Sequence, residues 1–264
     1  MSTVPADVQI ELLGPFSVRV NQMPVMPEAA KPSQVLALLA VNAGSVVTVA
    51  SLMEELWGDS PPSSAHTTLQ TYILESRRRI AVAMGPGQDP KWLLQTRRNG
   101  YLLDSPTARI DVEDFRRLAR IGREASEGGD HRAAAELLGR ALAVWRGPAL
   151  VDVRRGPVLE LEAMALEEMR LAALSRRFDA DLALGRHADI IGELTALVAS
   201  HPLNENFTAQ LITALYRTGQ IGRALQVFQR LRSLLVDELG VEPSAQLQRL
   251  QHAILSRDPS LDAA

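Results

Sequence analysis

Residues 61–103 read PPSSAHTTLQTYILESRRRIAVAMGPGQDPKWLLQTRRNGYLL, and this stretch decides the fold. Proline is tolerated only in a first helical turn, so a helix is expected to begin just after Pro61-Pro62. Ala65, Leu69, Ile73, Ile80 and Met84 then fall on one face at helical intervals and would pack inward. The opposite face carries Ser64, Thr67, Thr71, Leu74 and Arg78, with Thr68 and Gln70 on its flanks. The helix should carry Arg77-Arg78-Arg79 and run to about Met84. After a polar loop, Trp92-Leu-Leu-Gln-Thr96 and Tyr101-Leu-Leu103 flank Asn99-Gly100, a hairpin signal because asparagine and glycine accept positive φ. A polar helix followed by a hairpin turning at Arg97-Arg98-Asn99-Gly100 reads as a DNA-reading helix followed by a basic wing.

The charge is local. Between Ser60 and Leu103 lie six basic residues (Arg77, Arg78, Arg79, Lys91, Arg97, Arg98) and two acidic ones (Glu75, Asp89), a net +4 in a chain whose formal net charge is −3. The rest of the chain therefore carries −7. A basic face neutralises phosphates even on an acidic protein, because the far side need not take part.

Upstream, Gln9-Ile-Glu-Leu-Leu13 and Phe16-Ser-Val-Arg-Val20 predict two short strands around Gly14-Pro15, with residues 23–26 a third. Val35, Leu36, Leu38, Leu39 and Val41 predict a helix over 33–43, ended by Gly44. Thr48 should cap a second helix carrying Val49, Leu52, Met53, Leu56 and Trp57, stopped by Gly58. Two helices before the polar one complete a helix-turn-helix arrangement. Trp57, Trp92 and Tyr101 sit in apolar segments and are expected as core anchors.

Asp104-Ser-Pro-Thr-Ala108 breaks the pattern and marks a boundary, dividing the chain into 1–104 and 105–264. Everything beyond Asp111 reads as helix, with Asp111 as an N-cap. Three turn glycines, Gly129, Gly185 and Gly219, are followed by the same apolar recurrence. The fifth position after each is Ala134, Ile190 or Ala224, the ninth Leu138, Leu194 or Phe228, and the twelfth Ala141, Leu197 or Leu231. The later spacing of 34 residues equals the tetratricopeptide period, and the earlier one of 56 leaves room for a lengthened helix between Pro157 and Leu184. The expected fold is mainly α: an N-terminal winged helix-turn-helix with small β-sheets and a wing hairpin, then an all-α, tetratricopeptide-like domain.

Other chemistries find little support. With no cysteine in 264 residues, disulfides, thiolate zinc sites and Cys nucleophiles are excluded, and a reducing cytoplasm fits. The five histidines (His66, His131, His187, His201, His252) have no metal-ligand spacing, so neither metal nor cofactor is expected. No phosphate-binding Gly-rich loop, G-x-S-x-G elbow or H-E-x-x-H motif is present. Glu54-Glu55 and Glu167-Glu168 are adjacent on helices and point apart, so an enzyme is not expected. No apolar run approaches membrane-spanning length and the N-terminus has no signal-peptide pattern, so a soluble, unprocessed protein is expected.

Taken together, Leu12-Leu-Gly-Pro-Phe-Ser-Val18, Lys31-Pro-Ser-Gln34, Leu56-Trp-Gly-Asp-Ser-Pro-Pro62, Thr68-Leu-Gln-Thr-Tyr72, Gly100-Tyr101, Leu142-Ala-Val-Trp-Arg-Gly-Pro-Ala-Leu150, Asp181-Leu-Ala-Leu-Gly-Arg-His187, His201-Pro202 and Asp237-Glu-Leu-Gly-Val-Glu-Pro243 resemble the Streptomyces antibiotic regulatory protein family. The resemblance covers nearly the whole chain. It implies an OmpR-like winged-helix domain joined to a bacterial transcriptional activator domain, and activation of a secondary-metabolite gene cluster from the nucleoid. It further implies copies side by side on direct repeats of double-stranded promoter DNA near a −35 element. RNA polymerase would be recruited through sigma region 4 and the alpha C-terminal domain. Larger members continue into an ATPase module, so a small, self-sufficient member is expected. Without a receiver domain, control by aspartyl phosphorylation is not expected. Ser33, His66, Thr67, Glu75 and Ser76 depart from residues common in the family.

The expected DNA-binding set follows. Thr67, Gln70, Thr71 and Arg78 would read or position bases, with Ser64, His66 and Thr68 on or beside the same helix face. Arg77, Lys31 and the wing residues Thr96, Arg97, Arg98 and Asn99 would hold the backbone. Glu75 would accept from a cytosine amine or pair with Arg78 or Arg79. A repressor of the same fold and a protein-interaction scaffold that binds no DNA are the rival readings. Ligand binding between helical repeats is an open possibility that no sequence feature demands.

Overall fold

The computed structural model describes residues 6–104 and 108–258; most of the boundary segment expected at 104–108 lies outside the described residues. The described elements are β1 (Val8–Glu11), β2 (Ser17–Val20), β3 (Met23–Pro24), α1 (Ala30–Val41), β4 (Val46–Thr48), α2 (Val49–Trp57), α3 (Ala65–Met84), β5 (Leu94–Arg97), β6 (Gly100–Leu103), β7 (Arg109–Ile110), α4 (Asp111–Glu127), α5 (His131–Leu142), α6 (Pro157–Ala183), α7 (His187–Ser200), α8 (Glu205–Arg217), α9 (Ile221–Leu239) and α10 (Ala245–Ser256). A 3-10 turn, Pro90–Trp92, precedes β5. The fold is mainly α with small sheets, as the sequence predicts.

The chain forms two compact units, each drawn from two stretches: Met1–Arg117 with Ala141–Arg170, and Leu118–Arg140 with Leu171–Ala264. In the first, one sheet has the order β3-β2-β1-β7 and the other β4-β6-β5. Alternation along β1 and β2 buries Val8, Ile10, Val18 and Val20, as half-buried strands require. α1 starts three residues earlier than its apolar stripe predicts. It is the central helix, with every residue from Gln34 to Ala40 buried. Thr48 caps α2, its Oγ1 accepting from the Ser51 amide at 3.0 Å.

Two strands escape sequence reading, β4 and β7, because runs of two or three residues carry no period. β7 pairs in parallel with β1 and delivers Asp111. That residue does not act as the expected N-cap of its own helix. Its carboxylate accepts from the Leu12 and Leu13 amides at 2.8–2.9 Å and pairs with Arg146 at 3.2 Å. The loop after α5 closes over the same turn: the Arg146 and Leu150 amides donate to the Leu13 and Leu12 carbonyls, and the Phe16 amide to Asp152. Residues 141–170, beyond the expected boundary, thus pack with the winged-helix elements.

In the second unit the three turn glycines share one geometry. Gly129, Gly185 and Gly219 have φ of 79°, 75° and 77°. Each donates to the carbonyl three residues back, and the next residue donates five back, to Ala125, Asp181 and Leu215 respectively. This is a Schellman helix end, which needs a left-handed residue and so favours glycine. Of the aligned apolar positions, Ala134, Ile190, Ala224, Leu138, Leu194, Phe228, Ala141 and Leu231 are buried, while Leu197 is half-buried.

Candidate nucleic-acid interface

The apolar face of α3 is fixed. Ala65, Leu69, Ile73, Ile80 and Met84 are buried, together with Ser76 and Ala83. What remains outside is the polar face: Ser64, His66, Thr67, Gln70, Thr71, Leu74 and Arg78 are exposed and Thr68 is half-buried. Ser64 precedes α3 without a side-chain cap bond, and Thr71 donates its hydroxyl to the Thr67 carbonyl at 3.0 Å. Ser76, one of the departures from the family pattern, is 1% exposed and donates to the Tyr72 carbonyl. It therefore takes no part in the outer face.

The three arginines separate into three roles. Arg79 lies 3.6 Å from both Glu28 and Glu75, so Glu75 pairs with Arg79 rather than Arg78. Arg77 reaches the wing: its Nε donates to the Leu94 carbonyl at 3.0 Å and its Nη2 to Thr96 Oγ1 at 2.8 Å. Burial pushes its pKa down from the ordinary value, with Tyr101 and Asp89 opposing. Two residues expected on phosphates, Arg77 and Thr96, are thus partners of each other. Arg78 is exposed and forms no ion pair among the described residues.

The wing is a three-stranded structure. β6 lies between β5 and β4, pairing Tyr101 with Thr96 on one side and with Val47 on the other. At the tip Arg97, Arg98 and Asn99 are exposed, and Asn99 takes the left-handed conformation with φ 64°. Gly100 serves a different need than turn flexibility: a Cβ there would lie 2.3 Å from the Val47 carbonyl oxygen. The Asn99 carbonyl accepts from the Val49 amide at 2.9 Å, tying the wing turn to the start of α2.

Lys31, at the first turn of α1, is half-buried with its ammonium 5.0 Å from the centre of the Trp57 ring, a cation–π distance. Tyr101 is buried as a core anchor, but Trp92 is 41% exposed. The 3-10 turn holds it outside while Leu93 and Leu94 fill the core position. Sequence reading missed the Arg77 tie to the wing. The adjacency of Arg77 to a wing was visible, but its geometry was not.

Among the described residues no cluster of three His, Cys, Asp or Glu side chains could hold a metal ion, and no helix is long and apolar enough to cross a membrane.

A polar helix held outward by its buried face, and a basic hairpin bonded to it, define a winged-helix DNA-binding protein. Comparison with known proteins makes the class specific. Residues 27–103 match the family model for the C terminal of transcriptional regulatory proteins, and 110–255 match the bacterial transcriptional activator domain. The chain is 51% identical over 257 residues to regulatory protein DnrI of Streptomyces peucetius, covering 97% of this chain and 94% of DnrI. It is 37% identical over 254 residues to transcriptional regulator RedD of Streptomyces coelicolor, covering 96% and 72%. Among solved structures, Mycobacterium tuberculosis EmbR in complex with a low affinity phosphopeptide is similar, with TM-score 0.86 and 33% identity over 97% of this chain and 68% of that one. The chain belongs to the Streptomyces antibiotic regulatory protein family and is a DNA-binding transcriptional activator.

Proposed function

We propose that this protein activates a secondary-metabolite gene cluster by inserting α3 into the major groove of promoter DNA and laying the wing on the adjacent backbone. The observation that carries this reading is the outer face of α3, polar and exposed, bonded through Arg77 to a hairpin with two exposed arginines at its tip. Thr67, Gln70, Thr71 and Arg78 face the bases, with Ser64, His66 and Thr68 beside them. Arg97, Arg98 and Asn99 meet phosphates, and Arg77 with Thr96 sets the wing's position. Lys31, resting on Trp57, holds the backbone at the start of α1.

In this reading the DNA-binding part is 1–104 and the activator part 105–264. Two copies sit side by side on direct repeats near a −35 element. Same-face copies need centres separated by about 10 base pairs or a multiple of it. The helical part contacts RNA polymerase, through sigma region 4 and the alpha C-terminal domain, at the cytoplasmic nucleoid. Catalysis has no part in it.

Footprinting on the promoters of the neighbouring gene cluster, followed by transcription reconstituted with purified polymerase, tests the proposal. Protection over paired repeats with stimulated transcription is expected. Protection with repression would replace activation by repression, and absence of any protection would favour a protein-interaction scaffold.

A further inference from the structure

The outer face of α3 has one large apolar side chain in its middle. Leu74 is 66% exposed. Gln70 and Thr71 precede it by four and three residues and Arg78 follows by four, so all lie on one face. Thr71 has given its hydroxyl to the Thr67 carbonyl, which leaves its γ-methyl for an outside partner. An apolar patch therefore interrupts a face otherwise made of Thr67, Gln70 and Arg78. A lone exposed leucine ordinarily carries no message; this one lies between the polar groups placed to read bases. The other large exposed apolar residue of α3, Val82, lines a cleft with Met23 and Pro24 instead.

In the major groove the base pairs offer one apolar feature, the 5-methyl group of thymine. We propose that Leu74, with the Thr71 methyl beside it, packs on a thymine 5-methyl and so specifies a T·A pair within each half-site, between the positions read by Gln70 and Arg78. The inference rests on the reading of α3 as the helix in the groove. It gives the sequence preference an apolar component that a list of hydrogen-bonding residues omits.

The test uses the full-length protein and a footprinted promoter fragment in which each protected thymine is replaced singly by deoxyuridine, removing only the methyl. Wild type should lose about fourfold in affinity at one position per half-site, the value of one buried methyl. Leu74→Ala should bind the unmodified fragment weakly and no longer distinguish thymine from uracil at that position, while its salt dependence stays that of wild type. Because Leu74 is exposed, a urea midpoint close to wild type should accompany this result. A flat deoxyuridine scan with wild type, or undiminished discrimination by Leu74→Ala, overturns the proposal. Arg78→Ala separates the two levels. If it weakens binding while the scan is flat, thymine reading alone fails. If neither Arg78→Ala, Leu74→Ala nor any deoxyuridine matters, α3 does not enter the groove.

Discussion

The Glu55 carboxylate accepts a hydrogen bond from the Gly156 amide at 2.6 Å. The same group takes the Val158 and Leu159 backbone amides at 2.9 Å and the Gln34 side-chain Nε2 at 2.7 Å, and Glu55 is 2% exposed. A side chain of α2 thus supplies the acceptors for the first free amides of α6, which no intrahelical carbonyl can satisfy, and its negative charge suits a helix N-terminus. The approach is close: a Cβ on Gly156 would lie 2.1 Å from the Glu55 carbonyl oxygen. α2 and the start of α6 are therefore held as one piece.

Glu55→Ala strands several buried donors at once, and should cost on the order of 3 kcal/mol. Urea unfolding at neutral pH would read this as a lower midpoint. A loss within the roughly 0.5 kcal/mol typical of surface substitutions would show that water replaces the carboxylate without penalty.

In the proposed reading Arg77, bonded to Leu94 and Thr96, positions the wing instead of neutralising a phosphate, and the two roles predict different salt behaviour. Arg77→Ala should weaken binding to a promoter fragment while leaving the slope of log affinity against log salt near that of wild type. Removal of one phosphate contact would instead lower the slope by about 0.9. A slope change of that size for Arg77→Ala would return this residue to the DNA backbone.

Gly100→Ala places a methyl against the β4 backbone beside Val47. The β4–β6 pairing must open to admit it, at a cost of about 1–3 kcal/mol, as for overpacking elsewhere. Thermal melting of the variant compared with wild type measures this. An unchanged melting temperature would mean that β4 shifts freely.

His187 gives stability a pH dependence. Burial, and then the nearby Arg217 cation, hold its imidazole below the ordinary 6.5. As pH falls through 6.5, the unfolded chain takes up a proton before the folded one does. Stability present above that pH is therefore lost below it, until the folded-state value is passed. With part of the ring in solvent the effect is small. His187→Gln should lose less stability between pH 7 and pH 5 than wild type, as read by urea midpoints, and an equal loss would remove His187 from the cause.

The sequence was most legible where a period or a turn had room to repeat. The apolar face of α3 and the glycines of the repeat turns could be placed because each rests on local stereochemistry. Trp92 went wrong because a 3-10 turn shifted the buried positions to Leu93 and Leu94. Asp111 and Glu55 were unreadable for a different reason. Their partners, Leu12 and Gly156, lie 99 and 101 residues away, and nothing local in a helix tells a carboxylate facing water from one facing the free amides of a distant segment. The α3 face could be named residue by residue, but the division of Arg77, Arg78 and Arg79 among wing, solvent and Glu75 depended on tertiary neighbours.

Docking of α3 and the wing on DNA is tested most directly by the salt dependence of binding to a footprinted promoter fragment, wild type against an Arg97→Ala, Arg98→Ala double variant. Both residues are exposed at the wing tip, so folding should be spared. If the wing lies on the backbone, the variant binds more weakly and its log–log salt slope is shallower by about 2, at roughly 0.9 for each phosphate contact. A slope and affinity equal to wild type would contradict it.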